Sequence, residues 1–145
     1  MATARVAVAL DGRGVVQAGE AIGDSFVSVE NLQGSNFGDV LVGNAAANRI
    51  CGMGGADELR SGAGADFLSG GQGADTFVFL TGDGRDTVQD FQDNVDTLRI
   101  TTLAGASMAN AAQVGADVVI SLGAGDQVTV LNTTLAALSN DVIFL

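Results

Sequence analysis

The sequence predicts an all-β fold: a parallel β-roll, a solenoid of Gly-Gly-x-Gly-x-Asp nonapeptides, with a C-terminal antiparallel β cap. Three observations predict it. Asp39, Asn48, Asp57, Asp66 and Asp75 recur every nine residues, and Glu30 falls one period earlier. Two residues after each stands a large apolar side chain, Leu32, Leu41, Ile50, Leu59, Leu68 or Phe77, so a second column keeps the same period. Glycines make the third pattern: Gly52, Gly54 and Gly55 before Asp57, Gly62 and Gly64 before Asp66, and Gly70, Gly71 and Gly73 before Asp75. A flexible glycine linker has no reason to hold an aliphatic column in phase with an acidic one.

The first segment, residues 1–30, reads as a lead-in with one N-terminal strand. Its apolar run, Val6 to Leu10, is cut off by Asp11 and Gly12 before it reaches the length of a signal-peptide core. No apolar stretch is long enough to cross a bilayer, so the chain reads as soluble, without membrane insertion.

Residues 31–91 read as the roll. In each unit a six-residue glycine-rich stretch suits a tight turn and the next three residues suit a short strand. Side chains alternate faces along a strand, so the central apolar residue points inward and its neighbours point out. Two units complete one coil of a parallel solenoid, which stacks Leu32, Ile50 and Leu68 on one sheet and Leu41, Leu59 and Phe77 on the other. The turns ending at Asp39, Asp57 and Asp75 then line one edge, and those ending at Asn48 and Asp66 line the opposite edge. The units at Gly34–Val42 and Gly43–Cys51 are degenerate, with Phe37 and Ala46 at the position of the third glycine; Ser61 is a smaller departure.

Residues 92–145 read as the cap. After Asp96 the nine-residue period gives way to alternation at Thr97–Thr102, Asp117–Leu122 and Gln127–Leu131, which reads as antiparallel strands. Gly123-Ala-Gly-Asp126 is a turn signal, and Thr133 or Thr134 is placed to cap a short helix over Leu135–Leu138. Such a cap covers the backbone groups and leucines that an open solenoid end exposes.

Composition narrows the function. The 145 residues carry 17 acidic side chains against six arginines and no lysine, a formal charge of −11, which makes cations better partners than nucleic acid or anionic membranes. The absence of histidine removes the commonest zinc ligand and general base. With a single cysteine, Cys51, no internal disulfide can form.

In the predicted stack, carboxylates on one edge lie about 4.8 Å apart and repel, while the turns leave carbonyls without strand partners. A cation between coils answers both. Calcium accepts six to eight mixed oxygen ligands at about 2.3–2.6 Å, whereas magnesium demands a tighter octahedron, so several Ca²⁺ ions are the expected cofactors.

The units GMGGADELR, SGAGADFLS and GGQGADTFV resemble the repeats-in-toxin (RTX, hemolysin-type) nonapeptides of secreted bacterial proteases, lipases, toxins and alginate epimerases. The stretch Val27 to Asp39 resembles the family's lead-in, and residues 75–91 its exit from the roll. The resemblance implies that each ion sits between two loops of one edge, held by repeat aspartates and by carbonyls of the glycine-rich turns. Carried over by position, this pairs Asp39 with Asp57, Asp57 with Asp75, and Asn48 with Asp66, with carbonyls among Gly52, Gly55, Gly62, Gly64, Gly70, Gly71 and Gly73. Asn48 offers only a neutral oxygen and the loop before Asp39 lacks its central glycine, so the Asp57/Asp75 pair is the expected best site. Thr81 to Asp86 resembles one further copy displaced by two residues, which pairs Asp86 with Asp66. Asp83, Asp90, Asp93 and Asp96 are candidates for a capping ion.

The resemblance further implies a secreted, extracellular, non-enzymatic calcium-binding module of a Gram-negative bacterium. Such a module leaves the cell unfolded through a type I secretion ABC transporter, folds on calcium outside, and stabilises or delivers a larger protein with an upstream catalytic or adhesive domain. Asn140 to Leu145, one acid before four apolar residues, resembles the C-terminal signal of that route. The alternatives are an adhesive or polysaccharide-binding module of a secreted epimerase, lyase or protease, and an enzyme with its catalytic residues in this chain. Outward residues such as Arg49, Cys51, Glu58, Arg60, Phe67 and Ser69 form no regular ladder of threonines or aromatics.

Overall fold

The computed structural model describes residues 5–10, 29–101 and 107–145. Most of the 1–30 lead-in, the start of the stretch at Val27 and the strand end expected at Thr102 lie outside those residues.

Two sheets face each other across one core. The first has the order β1 (Ala7–Ala9), β3 (Val40–Val42), β5 (Glu58–Arg60), β7 (Thr76–Leu80), β9 (Thr97–Thr101) and β13 (Val142–Phe144), every pair parallel. The second holds β2 (Asn31–Gln33), β4 (Arg49–Gly54), β6 (Phe67–Gln72) and β8 (Arg85–Val88), also parallel. It continues through β12 (Asp126–Val130), β11 (Asp117–Gly123) and β10 (Ala111–Val114).

From Leu32 to Phe77 the register is the one the nine-residue period dictates, and outside that range the same inward columns continue at other spacings. Leu32 pairs with Ile50, Ile50 with Leu68, and Leu68 with Val88 on one sheet; Val8 pairs with Leu41, Leu41 with Leu59, Leu59 with Phe77, and Phe77 with Leu98 on the other. Leu41, Ile50, Leu59, Leu68, Phe77, Val88 and Leu98 are fully buried. Each such side chain contributes about 1.5–3 kcal/mol of transfer free energy, and within the array only β7 adds further buried apolar side chains, Val78 and Phe79. Phe91 packs its ring against Phe77, centroids 6.4 Å apart, at the foot of the array.

One expectation needs correcting. The strand at Thr97 is not antiparallel: β9 runs parallel to β7 and β13 parallel to β9, so the first sheet extends to the chain end. Alternation of side chains is the same for both strand directions and carries no sign of polarity. The spacing within a unit persists here though the period does not, since Asp96 precedes the inward Leu98 as Asp75 precedes Phe77. Antiparallel pairing is confined to β10, β11 and β12, and β12 itself lies parallel to β8.

Local signals explain the cap. Ala124 and Gly125 both have positive φ, 53° and 97°, as a tight two-residue hairpin between β11 and β12 requires. Thr134 caps the single helical turn α1 (Leu135–Leu138), its hydroxyl accepting from the Ala137 N–H at 3.2 Å, and Leu138 is buried beneath it. Among the described residues no helix is long and apolar enough to cross a membrane.

Candidate metal centre

Each turn ends in a carboxylate or amide immediately before its strand, and the parallel register stacks these groups along two edges. On the first edge the backbone N–H of Asp39 donates to Oδ1 of Asp57 (2.7 Å), that of Asp57 to Asp75 (2.9 Å), and that of Asp75 to Asp96 (2.9 Å). On the second, Asn48 N–H donates to Asp66 Oδ1 (2.6 Å) and Asp66 N–H to Asp86 Oδ1 (3.1 Å). The structure thus brings together the pairs expected from the sequence and adds Asp96 to the first ladder. All seven residues are buried.

One carboxylate oxygen per step is therefore committed to the neighbouring coil, and the other decides the chemistry. Oδ2 of Asp57, Asp66 and Asp75 is buried with no hydrogen-bond partner. These residues are only 2%, 1% and 1% exposed. A buried polar atom without a partner costs about 1–3 kcal/mol, more when charged. Burial, first, then the neighbouring carboxylates Asp75 and Asp39 push the Asp57 carboxyl up to about 6 against the pull of the Asp39 N–H. Burial likewise raises Asp75, Asp96 and the Asp66/Asp86 pair. A divalent cation held at these oxygens would remove both costs.

The turns are shaped around those oxygens. Gly71 and Gly73 hold φ of 97° and 131°, conformations that side chains resist. At the first turn position the constraint is space: a Cβ on Gly52 would collide with Oδ2 of Asp57 and the carbonyl of Gly70, and one on Gly70 with Oδ2 of Asp75. Carboxylate oxygens and carbonyls of successive coils thus converge where a side chain would otherwise stand. Among the described residues no three His, Cys, Asp or Glu side chains share one point. The donor set is one carboxylate oxygen with backbone carbonyls, which suits a large, hard, geometrically tolerant cation such as calcium and not zinc.

The remaining candidates are placed differently. Asp90 accepts from Ser69 Oγ (2.6 Å) and from the N–H groups of Gly70 (2.9 Å) and Gly71 (3.0 Å), so its own carboxylate is satisfied by protein donors. Asp96 accepts from Gln92 N–H at 2.9 Å besides its ladder bond. Asp83 accepts from the Leu80 N–H (2.6 Å) and the Ser61 hydroxyl (3.4 Å). Burial and nearby Asp126 raise its carboxyl. Asp93 is exposed. The four residues considered for one capping ion are not brought to one place. Ser61 was missed as a functional group: its side chain is fully buried and faces both Asp83 and Asp86. Its occurrence at a glycine position of the repeat was the available signal.

A coiled parallel roll with an acidic ladder on each edge is a repeat β-roll. The family model of the RTX calcium-binding nonapeptide repeat (4 copies) matches residues 29–59, 42–77 and 52–88, nearly the whole of the array. The extracellular lipase LipA of Serratia marcescens shares the fold with a TM-score of 0.55 at 23% identity, over 89% of this chain and 22% of the lipase. The AlgE6R2 subunit of the Azotobacter vinelandii mannuronan C5-epimerase aligns with a TM-score of 0.57 at 27% identity, over 81% of this chain and 94% of that subunit. The chain thus spans about a fifth of the lipase's length. No curated protein matches it by sequence.

Proposed function

We propose that this chain is an extracellular calcium-binding module that folds on binding calcium and stabilises or delivers a larger secreted protein, the roll at 31–91 taking the ions and 92–145 closing it. The observation that carries the reading is the trio of buried, unpartnered oxygens on Asp57, Asp66 and Asp75. Without a cation they oppose folding; with one they become ligands. Binding free energy is then folding free energy. Carbonyls of the adjoining turns, among Gly52, Gly55, Gly62, Gly64, Gly70, Gly71 and Gly73, complete the shell.

Export as an unfolded chain through a type I ABC transporter fits this coupling. Calcium is scarce inside the cell, and extracellular calcium modules bind with dissociation constants of about 10⁻⁴–10⁻³ M. Catalysis belongs, in this reading, to another part of the precursor. Far-ultraviolet circular dichroism tests it. The expected result is little β signal in chelator, a full signal in millimolar calcium and a weak response to magnesium. Complete β structure in excess chelator overturns the reading.

A second reading, an acidic-glycan-binding face, has one observation in its favour. Phe67 is 45% exposed on the outward face of β6, in register with Arg49 of β4 and Thr87 of β8. Binding on a glycan array that is lost with Phe67→Ala and Arg49→Ala, at unchanged circular dichroism, would establish it.

A further inference from the structure

The repeat turns are not all alike, and the difference lies at their second and fourth positions. In the turns ending at Asp57, Asp66 and Asp75 both positions have positive φ: Met53 (84°) with Gly55 (121°), Gly62 (82°) with Gly64 (138°), and Gly71 (97°) with Gly73 (131°). The displaced copy ending at Asp86 shares that conformation, with Gly82 (97°) and Gly84 (100°), but among the described residues only Asp57, Asp66 and Asp75 keep a buried, unpartnered Oδ2.

The turns ending at Asp39 and Asn48 carry Ser35 with Phe37 and Asn44 with Ala46 at those positions, and none of the four has positive φ. Their backbone N–H groups face the terminal side chain instead. Ser35 N–H donates to Asp39 Oδ2 at 2.5 Å, and the Ser35 hydroxyl donates to Asp39 Oδ1 at 3.1 Å. Val6 N–H, from the strand before, donates to the same Oδ1 at 2.6 Å. Asn44 N–H donates to Asn48 Oδ1 at 2.8 Å. The position-two side chain locks this geometry, because Ser35 Oγ accepts from Phe37 N–H (3.1 Å) and Asn44 Oδ1 from Ala46 N–H (2.8 Å).

We propose that the array contains two kinds of turn: open turns at Asp57, Asp66 and Asp75 that take one calcium ion each, and closed turns at Asp39 and Asn48 in which the chain's own donors stand where the cation would. The inference rests on the calcium reading above and deepens it. It fixes the stoichiometry at three ions and makes Asp39, for all its repeat phase, a structural carboxylate. The charge argument agrees. Asp39 draws three donors, and a cation would have to displace the Ser35 N–H to reach Oδ2. Oδ2 of Asp57 has no donor to displace.

Equilibrium dialysis with radioactive calcium on the full chain, read as ions per chain at saturation, tests this. Three ions are expected for the parent, one fewer for Asp57→Asn or Asp75→Asn, and still three for Asp39→Asn. The constructive arm opens a closed turn: Ser35→Gly with Phe37→Gly restores glycine at both positions and is expected to add a fourth ion. Loss of an ion with Asp39→Asn overturns the proposal, as does a double-glycine variant that folds in calcium and still binds three. Should the double variant not fold, Asp39→Asn decides alone. A parent that binds no calcium ends the calcium reading and this inference together, whereas a parent that binds and loses an ion with Asp39→Asn ends only the inference.

Discussion

The array and the C-terminal third share two continuous sheets yet are held by different forces. In the array most strands bury one large side chain, β7 burying Phe77, Val78 and Phe79, and the ladder carboxylates are buried beside them; three of those oxygens have no partner. In the C-terminal third β9 buries Leu98 and Ile100, β11 buries Val118, Ile120 and Leu122, and β12 buries Val128 and Val130. Its hairpin turn forms from local preference, and Asp117 spends its carboxylate on the Asn132 N–H at 2.9 Å. The cap is therefore an ordinary half-sandwich. On the reading proposed above, the array's thin core is outweighed by its own buried charge until a cation neutralises it, and the comparison teaches where cohesion would depend on a ligand and where it would not.

Calcium removal should break the two regions unequally, and this is the largest effect expected. Hydrogen–deuterium exchange in chelator is predicted to lose protection first across residues 52–77 and to retain more in the β11–β12 hairpin. Uniform loss across both regions would show that one cooperative unit spans them and that the contrast drawn here is wrong. Next in size comes a pair of matched glycine changes. Gly52→Ala places a methyl against Asp57 Oδ2 and the Gly70 carbonyl, and should cost about 2–3 kcal/mol with weakened calcium binding. Gly115→Ala in the cap has positive φ (65°) but open space around it, so about 1 kcal/mol and unchanged calcium binding are expected. Calcium-dependent thermal melts of both variants check the difference.

Acid should narrow the gap between the regions. The Asp57 carboxyl, ordinarily at 3.8, is pushed up to about 6 in the folded chain, and Asp66, Asp75 and Asp86 move in the same direction. A pKa raised by folding adds stability that is fully present below the unfolded value and lost as pH rises through the folded one. In chelator the array should therefore gain β structure as pH falls from about 7.5 through 6 toward 4, protons doing in part what calcium does. With calcium present the sign reverses, because protonation competes with the ion. A chelated chain whose circular dichroism is flat over that range would show that the buried carboxylates are not what keeps the apo array unfolded.

How much of this could be read from the sequence follows the same divide. The coil, its register and both stacks of inward side chains were legible because the acidic and aliphatic columns fix the period independently. The ladder's continuation was partly hidden by spacing: Asp66 and Asp86 are 20 residues apart and Asp75 and Asp96 are 21, against 18 within the regular array. The Asp86 step was legible from Thr81–Asp86, but Asp96 lies 21 residues after Asp75, off the period, so its spacing marks neither a ladder residue nor a parallel β9. The split into open and closed turns was legible only in outline, since the missing glycines and the neutral Asn48 mark the same two turns without saying what fills them. It depends on where the N–H of Ser35 points, and a missing glycine alone says that a turn is degenerate without saying what replaces its ion.

Met53 offers the smallest test, and it sharpens the contrast from inside the array. It is the one position-two residue of an open turn that is not glycine, held at φ 84° and paired in register with Gly71. Its side chain is 40% exposed, and its contacts are a 3.1 Å approach of Gln33 Nε2 and a 3.6 Å approach of Cys51 Sγ to its sulfur. Those surface contacts return little, while a side chain at positive φ costs about 1 kcal/mol. Met53→Gly should therefore stabilise the calcium-bound array by about that amount and leave the number of bound ions unchanged, a rise in melting temperature that chelator abolishes. A destabilised variant would mean that the unfolded chain's extra freedom at glycine outweighs the relieved strain, and that the turn is set by its neighbours in the stack rather than by the residue that occupies it.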